Sequence, residues 1–268
     1  MKHFKKISLV LFSIIMVACA TVPLTGRRQI SLVDEAQLQQ QAAQAYREFL
    51  SANSSAVITN SADAQRVRRV GTNISNAITR YMQQNGYGDK YNYNYEFNLI
   101  QSKDINAWCM PGGKVAVYTG ILPVTRDDAG LATVMGHEIA HAIAGHSSEQ
   151  ASSGALAQLG TSVIGASTGS DAVGQLSGIG AQLVLLKYSR KQESEADRLG
   201  LIFMAIAGYN PEAAISFWER MSSAAQSNGA PPEILSSHPS DASRIAEIRK
   251  RLPEAQKYYN NPGALSLR

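Results

Sequence analysis

The chain has 268 residues, with 25 Lys and Arg against 21 Asp and Glu, and a formal net charge of +4. Three of its lysines lie among the first six residues, so the part after residue 18 carries 22 minus 21, or +1, and the pI near 9.0 does not indicate a nucleic-acid partner. With 44% hydrophobic and 17% charged residues, the chain is too apolar for a disordered protein and long enough for one globular domain.

The first residues read as an export signal. A basic start is followed by an apolar run over 7–18, which is too short to span a bilayer as a helix but typical of a signal-peptide core. Residues 16–20, Met-Val-Ala-Cys-Ala, resemble a bacterial lipobox, in which the cysteine is lipidated. We therefore expect a lipoprotein signal peptide over 1–18, lipidation at Cys19, a tether over 19–30 and one domain over 31–268. An ordinary secretory signal is the alternative.

Helices and strands are predicted in the first half of the domain. A capping-box pattern at 31–34 and a Gln/Ala-rich segment to Leu50 predict a first helix. Apolar residues spaced by three or four predict a second helix over 63–84. Alternating aromatic and polar residues predict a half-buried strand over 91–100, and 115–118 offers another after the Pro-Gly-Gly turn at 111–113.

The first chemical motif is His-Glu-Ile-Ala-His at 137–141, inside an Ala/Ile/Val-rich segment from Asp127 to about Gly145. Residues four apart project from the same side of a helix, so His137 and His141 can share one zinc ion. In an H-E-x-x-H helix the glutamate, here Glu138, accepts a proton from water rather than binding the metal. A chance match on a surface helix is disfavoured, because the chain has only five histidines and this segment is apolar.

Zinc hydrolases normally use three protein ligands, so a third ligand is needed downstream. The metzincin pattern requires Gly and His where this chain has Ala144 and Ser147, and it therefore fails; we interpret the nearby His146 as structural. The other solution is a glutamate from a further helix, predicted over 192–208. There Glu193 and Asp197 share one face, and Glu193 competes with Glu195 on sequence alone. A solvated helix start explains the same acidic residues without a metal.

The two motifs at 137–141 and 193–197 together resemble the HtpX and CAAX-prenyl-endopeptidase family of gluzincin metallopeptidases, most closely its soluble lipoprotein and Oma-type members. The resemblance implies an α+β, mostly α-helical, zincin-like domain with a small sheet whose edge strand borders the zinc cleft. It also implies that Glu193 is the third zinc ligand and that Asp197 orients a ligand histidine. Glu195 has no counterpart in the family pattern.

Two further segments match the family pattern. Residues 106–113 followed by 115–120 resemble its edge strand, where a substrate peptide would be added by backbone hydrogen bonds. The substrate-binding candidates there are Asn106, Ala107, Val115 and Val117, although a core strand after a tight turn fits the composition nearly as well. Residues 237–244 resemble a late His-Pro motif, which implies that His238 faces the zinc and stabilises the oxyanion, with Arg244 in support.

These features predict a zinc endopeptidase with one zinc per chain and protein or peptide substrates. We expect it in a bacterial cell envelope, lipid-anchored at the outer membrane facing the periplasm, and acting on misfolded or misassembled envelope proteins. The rival is a chaperone-like assembly factor that keeps the peptidase fold, which the intact Glu138 disfavours. The Gly/Ser/Ala-rich segment 152–180 is predicted to be a mobile flap over the cleft, with closely packed helices as the alternative.

Overall fold

A computed structural model describes residues 19–22, 24–91, 93–160, 179–184, 186–227, 232–238, 242–261 and 263. Its helices within these ranges are Glu35–Ala52 (α1), Ala62–Gln84 (α2), Leu122–Thr125 (α3), Asp128–Ile143 (α4), His146–Gly160 (α5), Ile179–Val184 (α6), Arg190–Ile206 (α7), Ala213–Ser227 (α8), Ile234–Ser237 (α9) and Ala242–Asn260 (α10). Its strands are Cys19–Thr21 (β1), Arg28–Ile30 (β2), Val57–Ile58 (β3), Glu96–Ile100 (β4), Ala107–Met110 (β5) and Lys114–Tyr118 (β6). The predicted mostly helical α+β class is confirmed.

The main sheet has four strands in the order β3-β4-β6-β5. Strands β4 and β6 are parallel, and the other two pairs are antiparallel. Val115 of β6 lies opposite Phe97 on one side and Cys109 on the other, so β6 is an inner strand. Strand β5 ends the ladder and packs against helix α4. The predicted small sheet with an edge strand beside the helix that carries the H-E-x-x-H motif is therefore present.

Both faces of the main sheet are buried, and the sheet therefore separates the hydrophobic core into two parts. Val115 and Val117 point towards α2, α4 and α7, whereas Ala116 and Tyr118 point towards α1. On the α1 side, Trp108 packs edge-on against Tyr46 and Phe49 of that helix. The sheet thus forms the middle of three layers, and the layer containing α4 and α7 carries the chemical motifs.

Helices α4 and α7 pack against each other more extensively than any other described pair of elements. Two glycines face each other at this contact. A Cβ atom on Gly200 would lie 2.9 Å from the backbone nitrogen of His137, and a Cβ atom on Gly136 would lie 3.0 Å from the carbonyl oxygen of Gly200. Only glycine at both positions allows this separation of the helix backbones.

Several predicted elements have different bounds in the structure. The first helix begins after Asp34, whose side chain accepts a hydrogen bond from the Gln37 nitrogen at 2.7 Å, rather than after Ser31. The strand predicted over 91–100 covers only 96–100, because its partner β6 starts at Lys114, directly after the left-handed Gly113. Of the segment 152–180 predicted as a flap, 152–160 continues α5, 179–180 begins α6, and the remainder lies outside the described residues.

The segment predicted as a tether, 19–30, is packed against the domain in the structure. Its two strands pair antiparallel, with Thr21 opposite Arg28. Val22 and Leu24, between the strands, are buried in the larger part of the core. Among the described residues, none of the helices combines the length and the apolar composition needed to cross a membrane.

We expect Gly200→Ala to lower the free energy of unfolding of the metal-free protein by about 1–3 kcal/mol, because the added methyl group meets backbone atoms that cannot rotate away. The control is Gly154→Ala on α5, where the position is exposed and a Cβ meets nothing within 4 Å. There alanine should be neutral or stabilising by up to about 1 kcal/mol. Urea unfolding of both variants tests this, and equal stability would show that the helices can separate at little cost.

Candidate metal and active site

Helix α4 presents the first motif from the interior. Asp127 caps its N-terminus by accepting a hydrogen bond from the Gly130 nitrogen at 2.8 Å, and the helix is buried from Gly130 to Ile143. The predicted spacing holds, since the Nε2 atoms of His137 and His141 lie 3.1 Å apart. Burial lowers the pKa of His141 well below its usual value, against the opposing effect of Glu193, so its ring is neutral and can bind a cation.

Helix α7 supplies the carboxylate of the donor cluster. Sequence alone could not decide whether Glu193 or Glu195 provides it. Ser189 and Gln192 form a reciprocal capping box, so the helix starts just before Glu193. The Glu193 carboxylate lies 3.4 Å from His141 Nε2 and 3.5 Å from His137 Nε2. Burial opposes its ionisation, but the surrounding histidines, His238 most strongly, lower its pKa far below the usual range.

His238, at the C-terminal end of α9, completes a group of four buried donors. Its Nδ1 lies 3.2 Å from His137 Nε2 and 2.9 Å from Glu193 Oε1. A tetrahedral zinc ion with bonds of about 2.0–2.1 Å holds neighbouring ligand atoms about 3.3–3.4 Å apart. The contacts given above are 2.9–3.5 Å long, and with one ligand atom from each residue all four atoms lie within 4.8 Å of one another. Glu193 Oε2 is buried and lies 3.2 Å from an Nη atom of Arg244, which holds the carboxylate in place. The donor set therefore fits a zinc ion.

Asp197, one turn after Glu193 on α7, contacts the ring nitrogen of His137 that points away from the donor cluster. Asp197 Oδ1 lies 2.9 Å from His137 Nδ1. Arg244 of α10 binds the same carboxylate through two nitrogens, at 2.7 and 2.9 Å, and its guanidinium carbon lies 3.5 Å from the centre of the Trp218 ring. Burial and Arg244 oppose protonation of His137, yet contacts with Asp197 and Glu193 raise its pKa to about 9, so metal binding there displaces a proton.

Glu138 lies beside the donors without joining them. Its Oε1 is buried with no hydrogen-bond partner and lies 3.6 Å from His238 Nε2. Burial raises the pKa of its carboxyl group, and the nearby His238 and His137 partly offset that effect. A carboxylate with a raised pKa is a better proton acceptor near neutral pH, which is the property that a general base requires.

The four substrate-binding candidates divide between two strands. Asn106 is buried and directly precedes the edge strand β5, which begins with Ala107. Val115 and Val117 lie in β6, whose backbone is paired on both sides by β4 and β5. A peptide cannot be added at an inner strand, so their expected role is corrected: of the strands predicted here to bind a substrate, β5 is the one at an edge of the sheet, and β3 is the other edge.

Sequence reasoning named His146 and Glu195 without connecting them to His141, and it missed Tyr188. His141 Nδ1 lies 2.8 Å from Nδ1 of His146, whose Nε2 lies 3.0 Å from Glu195, and the ring of Tyr188 lies over the His141 ring with centroids 4.0 Å apart. On a continuous helix His146 would point away from His141, but α4 ends at Ile143 and Gly145 turns the chain with φ +68°. The position of Gly145 directly before His146 is the sequence feature that could have indicated this contact, because glycine often ends a helix.

His146 and Glu195 have opposite electrostatic surroundings. Burial lowers the pKa of His146, although Glu195 opposes this effect. Burial disfavours the charged form of Glu195, but hydrogen bonds from His146, Thr25 and Arg27 outweigh it and lower its pKa. A neutral imidazole beside a carboxylate results.

A comparison of sequences gives the family. The profile of peptidase family M48 matches residues 64–252, which include every donor of the cluster. The chain belongs to peptidase family M48. It is a metalloendopeptidase.

Relatives with curated names support this membership. The chain is 35% identical to mitochondrial metalloendopeptidase OMA1 of Schizosaccharomyces pombe over 236 residues, 88% of this chain and 67% of that protein. It is 32% identical to human mitochondrial metalloendopeptidase OMA1 over 175 residues, 61% of this chain and 33% of that protein. It is 30% identical to the β-barrel assembly-enhancing protease of Escherichia coli over 168 residues, 59% of this chain and 34% of that protein. The chain therefore spans only about a third of the latter two relatives.

We expect Glu193→Ala to reduce zinc affinity by more than about 100-fold, because the change removes a donor rather than a residue that orients one. Ser194→Ala, at the next position of α7, serves as the control and should bind zinc like the wild-type protein. Titration against a competing chelator measures both. Wild-type affinity in Glu193→Ala would show that this carboxylate is not a ligand.

Proposed function

We propose that this chain is a zinc endopeptidase that would hold one zinc ion through His137, His141 and Glu193, with His238 beside these three residues. The observation that carries the proposal is the convergence of four buried donors beside a carboxylate, Glu138, that has an unpartnered oxygen. Membership of a metalloendopeptidase family supports the reaction class, and the donor spacing supports zinc.

The chain's own residues supply the proton transfers. When bound, zinc supplies Lewis-acid polarisation of water and of the scissile carbonyl. Glu138 accepts the proton of that water and passes it to the leaving amine. The ring of His238 lies beside the proposed zinc ligands, where it would stabilise the oxyanion. Asp197, held by Arg244, fixes the ring of His137.

Substrate binding follows from the sheet. A peptide in extended conformation pairs with the outer side of β5, whose first residue is Ala107, with Asn106 beside it. Strand β5 packs directly against α4, so a peptide paired there runs past the donor cluster. Backbone pairing recognises main-chain atoms, which suits an enzyme acting on unfolded or misassembled proteins of varied sequence.

We infer that the protein is a lipoprotein of a bacterial envelope, placed with the soluble lipoprotein members of the HtpX-type group and anchored through Cys19 at the outer membrane facing the periplasm. The lipobox-like residues 16–20 and the short apolar leader support the anchor. The name of the Escherichia coli relative refers to β-barrel assembly, which supports misassembled envelope proteins as substrates. Cys109 is buried in the domain, and burial keeps the pKa of its thiol high, so it is unsuited to lipidation.

Exchange of Glu138 for Gln should leave about one zinc per chain but lower the cleavage of casein, or of another unfolded protein that the wild-type enzyme cleaves, by about 100- to 10,000-fold. The amide has the same shape as the carboxyl group but accepts no proton. Elemental analysis gives the zinc content and gel assays give cleavage. The control is Glu219→Gln on the exposed side of α8, which should keep full activity. Comparable cleavage by Glu138→Gln and wild type would exclude Glu138 as the base.

Replacing Cys19 by Ser should release the protein from the membrane fraction while zinc content and cleavage of soluble substrates stay at wild-type levels. Two or three acyl chains on one cysteine bury enough methylene groups for stable anchoring, which a hydroxyl group cannot replace. Fractionation measures the release, and mass spectrometry of the mature N-terminus shows whether processing still occurs. An unmodified N-terminus elsewhere in the wild-type protein would refute the lipoprotein assignment without affecting the peptidase.

A further inference from the structure

A chain of contacts runs from His141 to the residues before helix α1, 24–33, which are called the N-terminal segment below. The proposed catalytic mechanism uses none of these contacts. His146 is completely buried, with one ring nitrogen 2.8 Å from His141 Nδ1 and the other 3.0 Å from Glu195 Oε2. Glu195 in turn accepts hydrogen bonds from the Nε of Arg27 and the hydroxyl of Thr25.

The direction of each hydrogen bond in this chain follows from the donor cluster. His141 turns Nε2 towards His137 and Glu193, so a metal-binding His141 has its lone pair on Nε2 and its proton on Nδ1. That Nδ1–H donates to His146 Nδ1, which must be the unprotonated nitrogen. His146 then has its proton on Nε2 and donates it to Glu195.

The opposite arrangement is incompatible with metal binding. If the proton of His146 were on Nδ1, His141 Nδ1 would have to accept it, and the proton of His141 would move to Nε2, the atom needed by the metal. A carboxylate only accepts, so Glu195 keeps the proton of His146 on Nε2. Glu195 thereby determines the tautomer of His141 through one intervening ring.

The carboxylate itself is fixed by the segment between β1 and β2 and by β2. Arg27 pairs with Glu195 and also with Glu149 at 2.9 Å, and it donates to Gln29 at 3.0 Å. A short distance further along, the backbone nitrogens of Leu32 and Val33 donate to Ser152 Oγ at 2.9 and 3.2 Å. The N-terminal segment is thus attached to α5 and α7 on the side of the site that lies behind His141.

We propose that His146, Glu195 and Arg27 are positioning residues that hold His141 in its metal-binding tautomer and orientation, and that the N-terminal segment is therefore part of the metal site's support. The inference rests on the proposed zinc site. His141 is then supported in the same way as His137, which is oriented by Asp197 and Arg244. In both cases a buried carboxylate is the hydrogen-bond acceptor and an arginine holds that carboxylate.

The test measures zinc affinity by chelator competition. His146→Leu should lower the affinity about 10- to 100-fold, the range typical of residues that orient a ligand. His146→Asn should lower it less, because the side-chain oxygen of asparagine can accept the His141 proton at the place of Nδ1. Arg27→Gln should lower it in the same direction by a smaller factor, and Arg28→Gln, the exposed neighbour, should not change it.

Two further measurements separate positioning from general stability. The urea unfolding of the metal-free variants should match that of the metal-free wild-type protein, and the visible spectrum of the cobalt-substituted protein should change in His146→Leu but not in Arg28→Gln. The double variant His146→Leu, Arg27→Gln should bind zinc about as tightly as His146→Leu alone, because both changes break one chain. If His146→Leu does not fold, Arg27→Gln, on a partly exposed side chain, carries the test.

Wild-type zinc affinity in His146→Leu and Arg27→Gln, with zinc lost in Glu193→Ala, would overturn this inference and leave the proposed function intact. Failure of the wild-type chain to bind zinc would overturn both.

Discussion

Glycine at positions 136 and 200 lets α4 and α7 approach until backbone meets backbone, and the geometry of the chemical groups depends on that contact. Gly136 immediately precedes His137, and Gly200 lies one turn after Asp197 and two turns after Glu193. The closest point of the two helices is therefore next to the residues that must converge. A wider separation would move the Glu193 carboxylate out of reach of both imidazoles, whereas the sheet and α1 could remain as they are. The two glycines thus affect the geometry of the site more directly than they affect the fold.

Such a cluster has to balance its charge, because isolated charges are costly to bury. Around the donors the structure places two arginines and five carboxylates: Arg27, Arg244, Glu138, Glu149, Glu193, Glu195 and Asp197. The carboxylates outnumber the arginines, and a divalent cation would reduce this excess of negative charge. Arg244 pairs with Asp197 and also lies 3.2 Å from Glu193, and Arg27 pairs with Glu195 and Glu149, so each arginine is shared between two carboxylates.

Local sequence patterns predicted the parts of the site that lie on one element, and failed where two elements meet. The spacing of His137 and His141 on a helix is a property of that helix, and so is the shared face of Glu193 and Asp197. The choice between Glu193 and Glu195 needed the resemblance to a family, because only the packing of α7 on α4 decides which carboxylate faces the donors.

Strand order and the turn at Gly145 lay beyond such patterns. Residues 115–118 read correctly as a strand, but nothing local shows that β5 rather than β6 is at the edge, since pairing is a long-range property. On an unbroken helix His146 would point away from His141, and the interpretation of His146 as structural assumed such a helix. One left-handed glycine invalidated that assumption and brought His146 back against His141.

The supports of the two imidazoles also differ in where they lie in the chain. The support of His137 comes from α7 and α10 and falls within the segment 64–252 matched by the family profile. The support of His141 begins within that segment, at His146 and Glu195, but ends at Arg27, before it. The reaction groups thus belong to the family's common part, while one end of their support lies in a segment a few residues from Cys19. Arg27, which fixes Glu195, is only eight positions from Cys19, the residue proposed as the anchor, and three side chains connect this part of the chain to His141.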